Sequence, residues 1–116
     1  MARVWIILSL LVLGSASLAY ASTNTLSEQQ KIAYLLDAVG TSKLIFVRNS
    51  VEYPGTEAKE LLQTKLKASG NTIQTADDFI NNLASYSSTT GKPYYIEFPD
   101  GTMIESKIWL RARLAD

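Results

Sequence analysis

Arg48, Asn49, Lys65 and Lys92 are the residues of this chain best suited to hold another group. An arginine grips a carboxylate or phosphate through parallel N–H donors. Arg48 and Asn49 follow the apolar run Leu44-Ile45-Phe46-Val47, which places them at a strand end where a loop leaves the scaffold. There Arg48 either ties the 49–55 loop to carbonyls or an acid, or takes a ligand anion. Lys65 projects between Leu61 and Leu62, inside the apolar arc of its own helix. It either runs its stem over apolar neighbours to reach water, or pairs with an acid or a ligand anion. Lys92 opens a second strand. If the strands of Arg48 and Lys92 are antiparallel neighbours, the end of one lies beside the start of the other. Arg48, Asn49, Lys65 and Lys92 then gather in one polar patch beside the sheet, suited to a partner's carboxylate or a sugar acid. The competing arrangement pairs each cation locally with Glu52, Glu57 or Glu97 and only braces loops.

Catalytic chemistry finds less support. The 116 residues include no His and no Cys. That excludes a disulfide, an imidazole base and a thiol nucleophile, and removes the usual ligands of zinc, iron and haem. Ser88-Thr89-Thr90-Gly91-Lys92 imitates a phosphate loop. Tyr86 stands where its first glycine belongs, and Pro93 where Ser or Thr should follow the lysine. Ser87 and Ser88 are also mis-spaced from Lys92 for a Ser-x-x-Lys pair on one helical face. Glu52, Glu57, Asp77, Asp78 and Glu97 are candidates for paired-carboxylate work on sugars. Glu57, Asp77 and Asp78 already serve helix N-termini. No catalytic residue, cofactor or metal is expected.

The elements that position these residues follow from caps and periodicity. Thr25-x-x-Glu28 and Ser27-x-x-Gln30 both fit a capping box. Ile32, Leu35, Leu36 and Val39 form one stripe behind it, so a helix is predicted from Ser27 to about Val39, stopped by Gly40. Leu44–Val47 reads as a strand buried on both faces. Pro54-Gly55 marks a turn, Thr56 caps the next helix, and Ala58, Leu61, Leu62 and Leu66 form its apolar face up to Gly70-Asn71. Thr75-x-x-Asp78 caps a third helix carrying Phe79, Ile80, Leu83 and Ala84. After a polar loop over 85–91 come a strand at 94–98, a Pro99-Asp100-Gly101 hairpin turn and a short return strand at 102–104. Only one of Tyr94 and Tyr95 faces the core. Ser106 caps a last helix with Trp109, Leu110 and Leu114. The order α-β-α-α-β-β-α predicts an α+β domain with a small, mainly antiparallel sheet packed against about four helices.

Arg3, the apolar run Val4–Leu13 and the Ala19-Tyr20-Ala21 motif read as a secretory leader, residues 1–21, with one domain over 22–116. The apolar run is too short to span a bilayer, so no stable membrane span is expected after cleavage. Eleven basic residues balance eleven acids, which argues against nucleic acid as a partner. A cysteine-free exported domain must be held by its core alone.

Phe46-Val47-Arg48-Asn49, Glu57-Ala58, Leu61, Lys65-Leu66, Thr75-Ala76-x-x-Phe79-Ile80, Ala84-Ser85-x-Ser87-Ser88 and Gly91-Lys92-Pro93-Tyr94 together follow one pattern. It resembles a family of small exported bacterial proteins with a domain of unknown function, the YfeK-like proteins. That pattern often carries Gly after Arg-Asn, where this chain has Ser50. The resemblance implies a periplasmic location and a single domain, and supplies no activity. The expectation is a non-enzymatic periplasmic binding or interaction protein of the bacterial envelope, its partner an envelope protein or an anionic ligand. The alternative is an envelope hydrolase acting on cell-wall or carbohydrate material through carboxylates.

Overall fold

The computed structural model describes residues 25–116; the expected leader over 1–21 lies outside the described residues. Helix α1 spans Glu28–Thr41 and opens on a capping box. Ser27 Oγ accepts the Gln30 N–H at 3.1 Å, and Gln30 Oε1 accepts the Ser27 N–H at 2.9 Å. Ser27 thus prevails over Thr25 as the cap. Gly40 is not the left-handed stop that was expected. It lies within the helix, against the Lys59 side chain.

Strand β1 (Ile45–Arg48) turns directly into β2 (Val51–Pro54). Asn49 and Ser50, with φ of 50° and 67°, form the two-residue turn, and Arg48 pairs with Val51 to close it. Both turn residues are left-handed, the geometry whose twist matches a hairpin. The 49–55 segment, expected as a loop and turn, therefore contains a strand. Its closing Pro54 is tolerated because β2 is an edge. Helix α2 (Gly55–Ala68) starts without a linker. Pro54 is its N-cap, with no side-chain hydrogen bond, so Thr56 is not the cap. A side chain at Gly55 would approach Val39 O to 2.4 Å, which is why this crossing of α1 and α2 needs glycine.

A 3-10 turn (Gly70–Thr72) leads to α3 (Ala76–Asn82), capped by Thr75 and Asp78 as its sequence predicts. Glu28 Oε1 also accepts the Ala76 N–H at 2.9 Å, joining the starts of α1 and α3. β3 (Tyr95–Glu97) and β4 (Met103–Glu105) form the second hairpin. α4 (Ser106–Ala115) follows β4 directly, with Glu105 rather than Ser106 at the N-cap. Ser106 is buried, and its hydroxyl donates to Ala84 O at 2.8 Å.

The sheet order is β2-β1-β3-β4, antiparallel throughout. The α+β class and the expected order of elements hold, with β2 added. Register places Tyr53, Phe46, Ile96 and Ile104 on one cross-strand row. That row meets the helices. Leu35, Val39, Phe79, Ile80, Ile96 and Leu110 are fully buried there, and Trp109 packs edge-on to Phe46 with ring centroids 5.8 Å apart. The opposite rows are Glu52–Val47–Tyr95–Glu105 and Pro54–Ile45–Glu97–Met103. Their residues are half-buried or exposed. β1 is therefore not buried on both faces, because α1 packs against α2, α3 and α4 in a single layer on one side.

Candidate functional site

Strand alternation sends Arg48, two residues beyond Phe46, to the helix side of the sheet. There α2, the β1–β2 hairpin and the 84–94 segment enclose a cavity of about 230 Å³. Phe46, Tyr53, Leu61, Leu62 and Leu110 supply its apolar wall, and Arg48, Lys65, Ser88 and Tyr94 its uncommitted or cationic polar groups. The hydroxyls of Thr64 and Ser106, also in the lining, already donate to Glu60 O and Ala84 O.

The two cations are held differently. Lys65 comes off α2 a turn after Leu61, and its Nζ donates to Leu83 O at 2.6 Å, Tyr94 Oη at 3.1 Å and Tyr86 O at 3.4 Å. The ammonium also stands 5.1 Å from the centre of the Tyr94 ring. Its donors are satisfied by neutral oxygens. Arg48 Nε is buried and has no hydrogen-bond partner among the described residues. Leaving a buried donor unmade costs about 1–3 kcal/mol, more when it is charged. No Asp or Glu lines the cavity, and neither cation makes a salt bridge among the described residues. Two positive charges against apolar walls, with no acid between them, create a local potential that favours an anion.

Asn49 braces this arrangement from behind. Its Nδ2 donates to Ser87 Oγ at 3.2 Å, and its Oδ1 accepts from Thr90 Oγ1 at 2.7 Å. Ser87 is fully buried. The first hairpin turn thereby clamps the 85–92 loop that carries Ser88 to the cavity. Tyr94 is pinned by its backbone, N–H to Ser85 O and O from the Ser106 N–H. Of the four residues singled out by the sequence, the structure brings Arg48 and Lys65 to one cavity and makes Asn49 a brace. Lys92 lies elsewhere, in a cleft that it shares with Asn49, Val47, Tyr95 and Met103 on the opposite side of the sheet. β1 and β3 are antiparallel neighbours as supposed, but Pro93 and the loop before it carry Lys92 past the rim. Tyr94 turns to the cavity and Tyr95 to the outer face. The Tyr94 hydroxyl is the functional group that sequence reasoning undervalued; the signal available was its place next to Tyr95 at opposite parity.

On the outer face Glu52 and Glu97 reach toward each other across β1. The carboxyl of Glu97 is raised above its ordinary range, first by a hydrogen bond with Glu52, then by repulsion from its charge. Neither acid lines the cavity. Among the described residues no group of His, Cys, Asp or Glu is placed to hold a metal ion, and no helix is long and apolar enough to cross a membrane.

Fold and cavity define a single-sheet α+β domain with one face under helices and a cationic cavity between them. The chain belongs to a family of unknown function, DUF5329, which matches residues 26–116. It is 43% identical over 77 residues to the uncharacterized protein YfeK of Salmonella typhimurium, an alignment covering 66% of this chain. The same alignment spans 63% of that relative's length, just under two thirds. No solved structure matches. Some of the residues that carry the family pattern line the cavity, among them Phe46, Arg48, Leu61, Lys65, Ser88 and Tyr94, while others such as Thr75, Phe79, Ile80 and Lys92 do not.

Proposed function

We propose that the chain is an exported, non-enzymatic binding domain of the bacterial envelope whose site is the Arg48–Lys65 cavity, and that it takes an anionic group attached to an apolar body. The observation that carries this reading is Arg48, which lines an apolar cavity beside a second cation, with no acid in the lining and no salt bridge among the described residues. Export rests on the Arg3, Val4–Leu13, Ala19-Tyr20-Ala21 pattern. A thermal-shift panel of matched anionic, neutral and cationic amphiphiles tests the binding reading. Anions alone should raise the melting temperature, and Arg48→Ala should abolish the rise. Intact mass of the exported protein should correspond to a start at Ser22; a species retaining Met1–Ala21 in the inner membrane would refute export.

A second reading draws on Glu52 and Glu97, whose contact and raised Glu97 carboxyl are features of paired acids in hydrolases. It is the weaker one, because these acids lie on the outer sheet face and not in the cavity that could hold a sugar. Turnover of peptidoglycan that disappears on Glu97→Gln would establish it in place of the binding reading.

A further inference from the structure

We infer that the cavity is built for a small carboxylate bearing no other charge, its two oxygens taken by the Arg48 guanidinium and the Tyr94 O–H. This rests on the reading of the cavity as an anion site and narrows it to a ligand class. Size comes first. A cavity of about 230 Å³ seats a short aliphatic or aromatic body. The head group follows from the donors. Arg48 lines the cavity, and its guanidinium makes no salt bridge among the described residues. Tyr94 Oη already accepts from Lys65 Nζ at 3.1 Å, so its own hydrogen is free to donate. Two donors suit the two oxygens of a carboxylate, whereas a phosphate brings a further oxygen and further charge to desolvate. The rest of the ligand must be neutral, since no acid in the lining would receive an ammonium. Free zwitterionic amino acids are thereby disfavoured. Lys65 is a positioning residue, setting the Tyr94 hydroxyl as donor while supplying field. A free short-chain acid and the C-terminal carboxylate of a peptide ending in an apolar residue share this chemistry.

Amide chemical shifts of the exported protein, followed during titration, decide the matter. The probes are butanoate, hexanoate, hexanol, hexyl phosphate, leucine, and acetyl-Gly-Gly-Leu with a free or amidated end. Hexanoate should move the amides of residues 48, 65 and 94 and bind about fourfold tighter per methylene than butanoate. Hexanol and leucine should be at least about tenfold weaker. Arg48→Lys, which keeps the charge and loses the planar guanidinium, should weaken hexanoate about tenfold with the melting temperature retained. Tyr94→Phe should weaken it severalfold, and Lys65→Met should add little in the Tyr94→Phe background, a non-additivity that a purely structural lysine would not produce. The peptide binding only with a free end would support the carboxylate inference and name the source as a chain terminus. Equal binding of hexanol and hexanoate, or no loss in both Arg48→Lys and Tyr94→Phe, would overturn it. Arg48-dependent binding of hexyl phosphate without hexanoate would sink the carboxylate and spare the anion site. Silence from every anion would end both.

Discussion

The two faces of the β1–β2 hairpin carry opposite charge and neither is neutralised. On the helix side Arg48 and Lys65 line a cavity without an acid. On the outer side Glu52 and Glu97 meet each other, and neither makes a salt bridge among the described residues. Strand alternation sends Arg48 on β1 to the helix side and Glu52 on β2 and Glu97 on β3 to the outer side, while Lys65 reaches the cavity from α2. The environments differ more than the charges do. Water screens the outer acids. Arg48 Nε lacks that remedy, so the covered face stores an unmet interaction and the open face stores almost none. Elsewhere in the domain half-buried cations find local acids, as Lys31 does with Glu28 and Lys59 with Asp37.

The contrast can be broken or sharpened at adjacent residues. Phe46 and Val47 are neighbours in β1, one against Trp109 and the other in the open-face cleft. Phe46→Ala should cost about 3–5 kcal/mol in denaturant unfolding, and Val47→Ala about 1 kcal/mol or less. Equal costs would mean that something covers the outer face. The cations come next. Lys65→Met frees two carbonyls and the Tyr94 hydroxyl and should cost about 1–3 kcal/mol. Arg48→Met should leave stability unchanged or raise it, since the side chain removed had an unmet buried donor. A loss above about 1 kcal/mol for Arg48→Met would make Arg48 a brace instead of a site residue.

The turn that joins the two faces offers a smaller effect. Ser50 holds φ of 67°, where an L side chain is disfavoured. Ser50→Gly should stabilise by about 0.5–1 kcal/mol in the same unfolding assay. The smallest effect is the pH response of the outer acids. Glu97 is raised above the ordinary 4.5, so the folded state binds its proton more tightly than the unfolded chain does. Its contribution therefore falls as pH rises from 4.5 through the raised value. Glu28, Asp78 and Asp100 are lowered by hydrogen bonds, Glu28 chiefly from Ala76 N–H, Asp78 from Gln74 N–H and Asp100 from Thr102. Their contribution is present above the ordinary carboxylate range and lost as pH falls through the lowered values. Glu97→Gln should remove the downward limb of melting temperature against pH while leaving the acid limb; an unchanged profile would dissolve the Glu52–Glu97 pair.

Much of this molecule is written in local signals. Ser27 with Gln30 and Thr75 with Asp78 name two helix starts, because a cap and its reciprocal partner are three residues apart and need no distant neighbour. The stripe Ile32, Leu35, Leu36, Val39 and the turn at Gly101 are legible for the same reason. What escaped the sequence lies at junctions. β2 was hidden because Asn49-Ser50 lacks the glycine that announces a two-residue hairpin, and because the strand ends in proline. Thr56 and Ser106 resemble caps, yet β2 and β4 run straight into α2 and α4, so Pro54 and Glu105 take the cap positions.

Residue types and spacing alone determined that this chain has no thiol or imidazole chemistry, that its strands and helices combine as an α+β domain, and that Arg48, Lys65 and Lys92 were the cations to watch. Only tertiary structure decided which side of the sheet each charge meets. Parity along a strand is local, but which parity is covered depends on where α1, α2 and α4 pack, and that is settled by the whole core at once. Arg48 therefore ends on the helix side of the sheet and Lys92, in the loop before β3, on the outer side.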